Sequence, residues 1–139
     1  MARRWKLKQV QIVPKSRWEV FAFFANAHNL ERLTPAFLGF QILTPAPIQM
    51  REGAIIDYRL RLHGIPVRWR TRIECFEPEC RFVDIQIKGP YRYWRHLHEF
   101  EEIDGGTKMR DVVEYELPLG PLGTVAVSYT HLRAHETND

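Results

Sequence analysis

YRYWRHLHEFEEIDGGTKMRDVVEYEL, residues 91–117, is the stretch that decides the fold. Residues 91–103 and 107–117 alternate between apolar and polar side chains, and the Asp104-Gly105-Gly106 turn between them predicts an antiparallel β-hairpin. Similar strands precede this hairpin, with turns that contain glycine or proline between them. They cover residues 54–63, 67–76 and 82–88, so the whole region predicts an antiparallel meander.

The N-terminal part of the chain predicts different elements. Residues 6–13 predict an opening strand, which Pro14 ends because proline cannot donate to a β-ladder. Ser16 and Glu19 have the spacing of a capping box, so we expect a helix over residues 16–25. That helix is apolar on almost every side, and we therefore expect it to be buried all round.

A second short helix is expected over residues 26–33, with Asn26 or Asn29 as its N-cap and Thr34 before Pro35 as its stop. Residues 38–43 resume an extended pattern and add a further strand. One strand, two helices and six more strands do not form a βαβ repeat. This order predicts an α+β fold in which helices cover one face of the sheet.

Length and composition restrict the function classes. With 139 residues, of which 45% are hydrophobic, the chain is the size of one domain that can hold a core and a cavity. No run approaches 18 apolar residues, and residues 1–6 have no apolar stretch behind their charges, so we expect no membrane span, no signal peptide and a cytoplasmic protein. The net charge of +3 does not indicate nucleic-acid binding. Cys75 and Cys80 lack CxxC spacing, and we expect two reduced thiols without a role.

Several motifs together resemble one superfamily. They are Val20-Phe21 with Phe23-Phe24, Asn29-Leu30 with Thr34-Pro35, Arg68-Trp69-Arg70-Thr71, Gly89-Pro90-Tyr91 with the Trp94 to Phe100 strand, and Arg110-Asp111 with Tyr115. Over residues 5–123 the chain resembles the SRPBCC (START/Bet v-like) superfamily, in its polyketide cyclase/dehydrase or coenzyme Q-binding-like branch. The resemblance implies a helix-grip fold, in which a curved antiparallel sheet of about seven strands wraps a long C-terminal helix and encloses a ligand cavity.

The C-terminal residues depart from the pattern of that superfamily. The departure begins after Gly123, and residues 128–137 resemble a translated sequencing-adapter tail rather than the end of a long helix. We therefore expect a START-like ligand-binding domain over residues 1–123, followed by a non-native tail over residues 124–139. The C-terminal helix of the grip is expected to be incomplete.

The hairpin places two histidines near a carboxylate. Because side chains alternate with a period of two, His96 and His98 share a face, and the tight turn brings Asp111 of the next strand beside them. The candidate ligand-binding residues are Trp94, His96, His98, Phe100, Asp111, Tyr115, Tyr58, Trp69 and Asp84, with Gln86 as a further inward position. They predict a pocket with an apolar lining and a few polar anchors. A satisfied, purely structural His/Asp network is the interpretation that remains open beside it.

Metal binding and catalysis are weaker predictions for the same residues. His96 and His98 have the spacing to ligate zinc or iron, but the sequence identifies no third ligand, so we expect no metal and no cofactor. A His/Asp pair is also able to act as acid and base in a cyclase, aromatase or dehydratase, although no nucleophile motif or nucleotide fingerprint is present. We expect a binder of a lipid, quinone or polyketide-like molecule rather than an enzyme.

Five arginines alternate with apolar residues along residues 54–76, and we call them the arginine stripe: Arg59, Arg61, Arg68, Arg70 and Arg72. The alternation predicts that they lie on the outer face of the sheet. One interpretation is a solvated face whose arginines pair with Asp57 and Glu74. The other is a docking site for an anionic membrane or an acidic partner. No nucleic acid is expected as a partner, because the aromatic residues between the arginines point inward.

Overall fold

The computed structural model describes residues 3–118, and its main feature is one curved antiparallel sheet. The seven strands are β1 (Arg4–Val13), β2 (Gln41–Ile42), β3 (Ile55–Leu62), β4 (Ile65–Glu77), β5 (Arg81–Lys88), β6 (Tyr93–Ile103) and β7 (Gly106–Glu116). Their order in the sheet is β1-β7-β6-β5-β4-β3-β2, so β2 to β7 form a meander and β1 pairs with β7. The predicted α+β class and the sheet of about seven strands are confirmed.

Two short helices follow β1, as predicted: α1 (Arg17–Phe24) and α2 (Ala27–Leu33). Ser16 caps α1, and its Oγ atom accepts a hydrogen bond from the Glu19 amide at 3.4 Å. Asn26, rather than Asn29, caps α2, because its Oδ1 atom accepts a hydrogen bond from the His28 amide at 3.0 Å. Both helix starts are therefore fixed by local side-chain capping.

The burial of α1 differs from the prediction. Val20 and Phe21 are buried, but Trp18 is 62% exposed, so the expectation that the helix is buried all round is wrong. The sheet contacts of α1 are mainly with β6 and β7. A helix of about two turns meets a sheet with one face only, and its apolar residues on the other faces remain outside that contact.

The extended segment expected over residues 38–43 is shorter than predicted. A 3₁₀ turn at Ala36–Leu38 comes first, and Gly39 then takes a left-handed conformation with φ of 56°. The ladder between β2 and β3 is two residues long. The left-handed glycine turns the chain away from an extended path, which explains the late start of the strand.

The turn between β5 and β6 sets the register of the strands that carry the site. The side-chain Nε2 atom of Gln86 donates to the Tyr91 carbonyl at 2.7 Å. The Oε1 atom of the same side chain accepts from the backbone amide of Tyr91 at 3.1 Å. A Cβ atom at Gly89 would collide with the Gln86 side chain, so a larger residue there would displace the side chain that bonds to Tyr91. Gln86, an inward candidate from the sequence, thus holds the turn and does not line the cavity described below.

Most of the buried apolar side chains among the described residues form two groups. The Trp core consists of Leu38, Ile56, Tyr58, Leu60, Leu62, Trp69, Tyr91, Trp94 and Val113. The Phe core consists of Val20, Phe21, Phe82, Phe100 and Met109. The Phe core attaches α1 to the sheet, and the ring centroids of Phe21 and Phe100 are 5.1 Å apart. Each large buried side chain stabilises the fold by about 1.5–3 kcal/mol relative to an exposed one.

The predicted C-terminal features lie outside the described residues. They are the incomplete helix, the domain boundary at residue 123 and the tail over residues 124–139. Between residues 3 and 118, no helix is both long and apolar enough to cross a membrane. Cys75 and Cys80 are both free thiols.

Candidate functional site

Four ionisable side chains meet on the inner face of the sheet, and we call them the His/Asp cluster. Asp84 lies on β5, His96 and His98 lie on β6, and Asp111 lies on β7. These strands are neighbours, and the register places Asp84 opposite His96 and His98 opposite Asp111. Because residues paired across a ladder point to the same face, the sheet itself brings the four side chains together.

Each imidazole of the His/Asp cluster faces both carboxylates. The His96 Nε2 atom lies 2.9 Å from Asp111 Oδ1, and its Nδ1 atom lies 4.0 Å from Asp84 Oδ2. The His98 Nε2 atom lies 2.7 Å from Asp84 Oδ2, and its Nδ1 atom lies 3.1 Å from Asp111 Oδ1. The closest contact of each imidazole is therefore with the carboxylate that lies diagonally from it in the ladder.

The two imidazoles also form a column of rings that bridges the two cores. Their centroids are 3.7 Å apart, and the rings are stacked. His98 stacks on Phe82 of the Phe core at 4.1 Å, and His96 meets the edge of Trp94 of the Trp core at 6.4 Å. The cluster is thus a polar layer between two apolar groups.

The two imidazoles differ in pKa although they are in contact. Burial, together with the neighbouring His98, lowers the pKa of His96 from 6.5 to about 4. Burial also disfavours the charged form of His98, but hydrogen bonds to Asp111 and Asp84 outweigh it and raise the pKa of this imidazole. Burial likewise acts on Asp111, yet hydrogen bonds to both histidines hold its pKa well below the usual range. Different environments thus give two chemically identical side chains different pKa values.

A cavity of about 360 Å³ lies over the His/Asp cluster. Leu30 and Leu33 of α2 contribute to one wall. Ile56, Ile73 and Met109 contribute from the sheet. The lining is therefore largely apolar, and the four ionisable groups are gathered at one place in it.

The structure brings together six of the nine candidate residues. Tyr58, Asp84, Trp94, His96, His98 and Asp111 line the cavity. Trp69, Phe100 and Tyr115 do not line it. Trp69 is 1% exposed in the Trp core, Phe100 lies in the Phe core, and Tyr115 packs edge-on against Tyr91 at 5.9 Å.

Sequence reasoning missed some residues that complete the cavity. Thr71 of β4 lines it, and its hydroxyl lies 3.4 Å from that of Tyr58. The alternation with Trp69 would have identified Thr71 as inward. Asn29 of α2 also lines the cavity, and its amide donates to the Phe23 carbonyl at 2.8 Å. No local signal reveals Asn29, because the face that a short helix turns toward a sheet is set by tertiary packing.

A family profile described as "Polyketide cyclase / dehydrase and lipid transport" matches residues 13–128. The chain belongs to this family. The resemblance to the SRPBCC superfamily that the motifs predicted is confirmed by this match and by the fold. Comparison with curated proteins finds no match.

The fold of this family member is similar to the folds of several solved structures. Protein Mll3558 from Rhizobium loti is 15% identical, with 99% of this chain and 96% of that chain covered and a TM-score of 0.74. A START superfamily protein from Mycobacterium smegmatis is 11% identical, with 94% and 92% covered and a TM-score of 0.68. A nucleoside-diphosphate sugar epimerase from Corynebacterium glutamicum is 28% identical over 77% of this chain and 24% of that chain, with a TM-score of 0.59.

The arginine stripe of this family member lies on the outer face of β3 and β4, away from the cavity. Arg59 and Arg68 are direct ladder partners, and Arg70 forms an ion pair with Asp57 at 2.8 Å. Among residues 3–118, no other stripe residue forms an ion pair, and Glu74 pairs with Arg95 outside the stripe. The stripe therefore keeps a net positive charge. Docking to an anionic membrane or partner stays a prediction.

Proposed function

We propose that the protein binds a hydrophobic small molecule, such as a lipid, a quinone or a polyketide-like compound, in the cavity over the His/Asp cluster. The observation that carries this proposal is a largely apolar cavity whose ionisable groups are gathered at one place. Membership of a family described by lipid transport supports it. The cavity volume of about 360 Å³ also falls within the range of about 300–1,000 Å³ that is usual for ligand pockets.

The apolar walls supply affinity, and the cluster supplies orientation. Burial of apolar ligand surface contributes about 25 cal/mol per Å² before the entropic cost of association. The side chains of Asp84 and His98 keep 19% and 13% exposure, so a ligand in the cavity is able to reach them. A ligand hydroxyl or carbonyl that bonds there avoids the penalty of burying a polar group without a partner. The site therefore favours an apolar molecule with one polar end.

Native mass spectrometry of the full chain, combined with organic extraction, tests this proposal. We expect a co-purifying apolar molecule, and we expect His98→Ala to reduce its retention in protein that is still folded. His28→Ala is the matched control, because His28 is exposed on α2 and does not line the cavity. If His98→Ala reduced the retained ligand only as far as it reduced the folded fraction of the protein, the cluster would be a structural network instead.

Acid–base catalysis by a cyclase, aromatase or dehydratase is the second candidate function. The observation that favours it is a pair of carboxylate–imidazole contacts of 2.7 and 2.9 Å at the wall of an apolar cavity. In such a reaction an imidazole accepts a proton from the substrate, and the carboxylate orients the ring and stabilises the imidazolium. Positioned acid–base groups of this kind typically accelerate a reaction by about 10²–10⁴-fold.

A poly-β-ketone substrate with His96→Ala and Asp111→Asn variants tests the catalytic candidate. We expect cyclised or dehydrated product from the wild-type chain and a loss of about 10²-fold or more in each variant. Turnover that survives both substitutions would eliminate catalysis by the cluster. Folded protein that retains a ligand without converting it would favour the binding function alone.

A further inference from the structure

The geometry points to a divalent transition-metal site formed by Asp84, His96 and His98, with Asp111 as the residue that orients both imidazoles. The sequence offered only the two histidines as ligands, and no metal was expected for that reason. The fold supplies the third ligand, because the ladder between β5 and β6 pairs Asp84 with His96. This inference stands whether or not the cavity holds the hydrophobic ligand proposed above.

The three candidate ligands are close enough to share one ion. One donor atom from each of them lies within 4.8 Å of the others. Bonds of about 2.0–2.2 Å from a tetrahedral zinc ion to nitrogen and oxygen place neighbouring ligand atoms about 3.3 Å apart. The Asp84 Oδ2 atom lies 2.7 Å from His98 Nε2 and 4.0 Å from His96 Nδ1, so changes of less than 1 Å bring these two distances to that value. The two ring nitrogens lie within 4.8 Å of each other and reach it only when the rings turn.

Asp111 provides the support that metal-binding histidines usually have. A ligating imidazole normally donates its other N–H group to a carboxylate, a carbonyl or a water. The Asp111 Oδ1 atom lies 2.9 Å from His96 Nε2 and 3.1 Å from His98 Nδ1, which are the nitrogens on the far side from Asp84. A neutral imidazole has one N–H group, and Asp111 is placed to accept it from each ring. The other nitrogen of each ring then carries a lone pair on the side of Asp84, where the two rings and the carboxylate can share an ion.

The donor set limits the identity of the ion. Two imidazoles and one carboxylate suit zinc in a catalytic-type site, and also iron(II) in a site with open positions. All three ligands line the cavity, so the remaining coordination positions face the space that a ligand would occupy. Binding requires the two rings to turn out of their 3.7 Å stack until both lone pairs converge on the ion.

Zinc titration of the chelator-treated full chain, followed by isothermal calorimetry and elemental analysis, tests the site. His131 and His135 have a spacing that also suits a metal, so both are replaced by alanine in every protein used. We expect one zinc ion per chain in this background. Asp84→Asn and His98→Gln should abolish binding, and Asp111→Asn should weaken it by about 10–100-fold. Asp57→Asn and His28→Asn, which lie outside the cluster, should leave it unchanged.

Circular dichroism establishes which variants are folded, and X-ray absorption of the zinc-loaded parent protein gives a readout that needs no variant. Two imidazole ligands in that spectrum support the site, and fewer than two overturn it. Binding that is unchanged in folded Asp84→Asn and His98→Gln proteins would mean an adventitious ion only. A folded parent protein that takes up no zinc or iron(II) would also overturn the inference.

Discussion

The imidazole of His98 bonds to Asp84 across β5 and β6 although the ladder does not pair these two residues. The His98 Nε2 atom lies 2.7 Å from Asp84 Oδ2, whereas the ladder partner of His98 on β5 is Phe82. Phe82 stacks on the imidazole at 4.1 Å. An aromatic ring therefore supports the face of His98 while a carboxylate holds its edge, and together they fix the direction in which its nitrogens point.

Opposite shifts in pKa predict that the two imidazoles titrate separately. In metal-free protein we expect His96 to take up its proton at about pH 4 and His98 to lose its proton above pH 6.5. Imidazole-region NMR across that range measures both. A single shared transition near pH 6.5 would contradict the described environments.

These shifts also fix the sign of each contribution to stability. As the pH falls below 6.5, His96 takes up a proton in the unfolded chain at a higher pH than it does in the folded chain. This residue therefore lowers the free energy of unfolding as the pH falls toward 4. His98 acts in the opposite direction, because its contribution is complete below pH 6.5 and is lost as the pH rises through its raised pKa.

Phe100→Ala should destabilise the protein without emptying the cavity. Phe100 is 4% exposed in the Phe core and does not line the cavity. Large-to-small substitutions of buried phenylalanine cost about 3–5 kcal/mol, which denaturant unfolding measures directly. Phe37→Ala is the control, since Phe37 is 68% exposed and should change stability by less than about 0.5 kcal/mol. Loss of ligand from the folded Phe100→Ala fraction would show that the cavity extends further than described.

Leu30→Trp should block the cavity from the helical side. Leu30 is half-buried on α2 and lines the cavity opposite the sheet, so a larger ring there occupies ligand space. We expect retention of the extracted apolar molecule to fall by at least tenfold in mass spectrometry, with little change in the unfolding midpoint. Arg32→Trp, on the exposed side of the same helix, is the matched control. Equal retention in both variants would place the ligand elsewhere.

Charge reversal at Arg59 and Arg68 tests the arginine stripe. These two positive charges face each other directly across β3 and β4 and repel each other. An anion bound between them would relieve that repulsion. We expect co-sedimentation with vesicles that contain anionic lipid at low salt, and loss of it in the Arg59→Glu/Arg68→Glu protein. Arg110→Glu on β7 is the control. Binding that ignores both salt and the double substitution would rule out electrostatic docking.

Much of the His/Asp cluster could be predicted from the sequence. Period-two alternation places His96 and His98 on one face, and the glycine turn at 104–106 brings Asp111 beside them. The bonds themselves could not be predicted, because they run diagonally between ladder pairs. The alternation also does not show how far along a strand the cavity extends. Phe100 shares a face with His98, but it lies in the Phe core and not in the cavity.

The burial of α1 shows a second limit of sequence reasoning. Its composition predicted burial on every side, but Trp18 is exposed while Phe21 is buried. Composition reports how much apolar surface a helix carries, and not how much of it a neighbour covers. The contact is decided by the position of the helix over β6 and β7, which no local pattern encodes.

The ring column that runs from Phe82 through His98 and His96 to Trp94 connects the two cores through side chains that can change their charge. Buried apolar residues usually form one contiguous core, but here the two stacked imidazoles contact the Phe core on one side and the Trp core on the other. We expect a proton, an ion or a bound molecule at these imidazoles to change how strongly α1 and the Phe core are held to the Trp core. We therefore expect the amide hydrogens of α1 to exchange sooner when the contacts of the two imidazoles are disturbed. On this expectation, the exchange rate of α1 depends on what binds in the cavity.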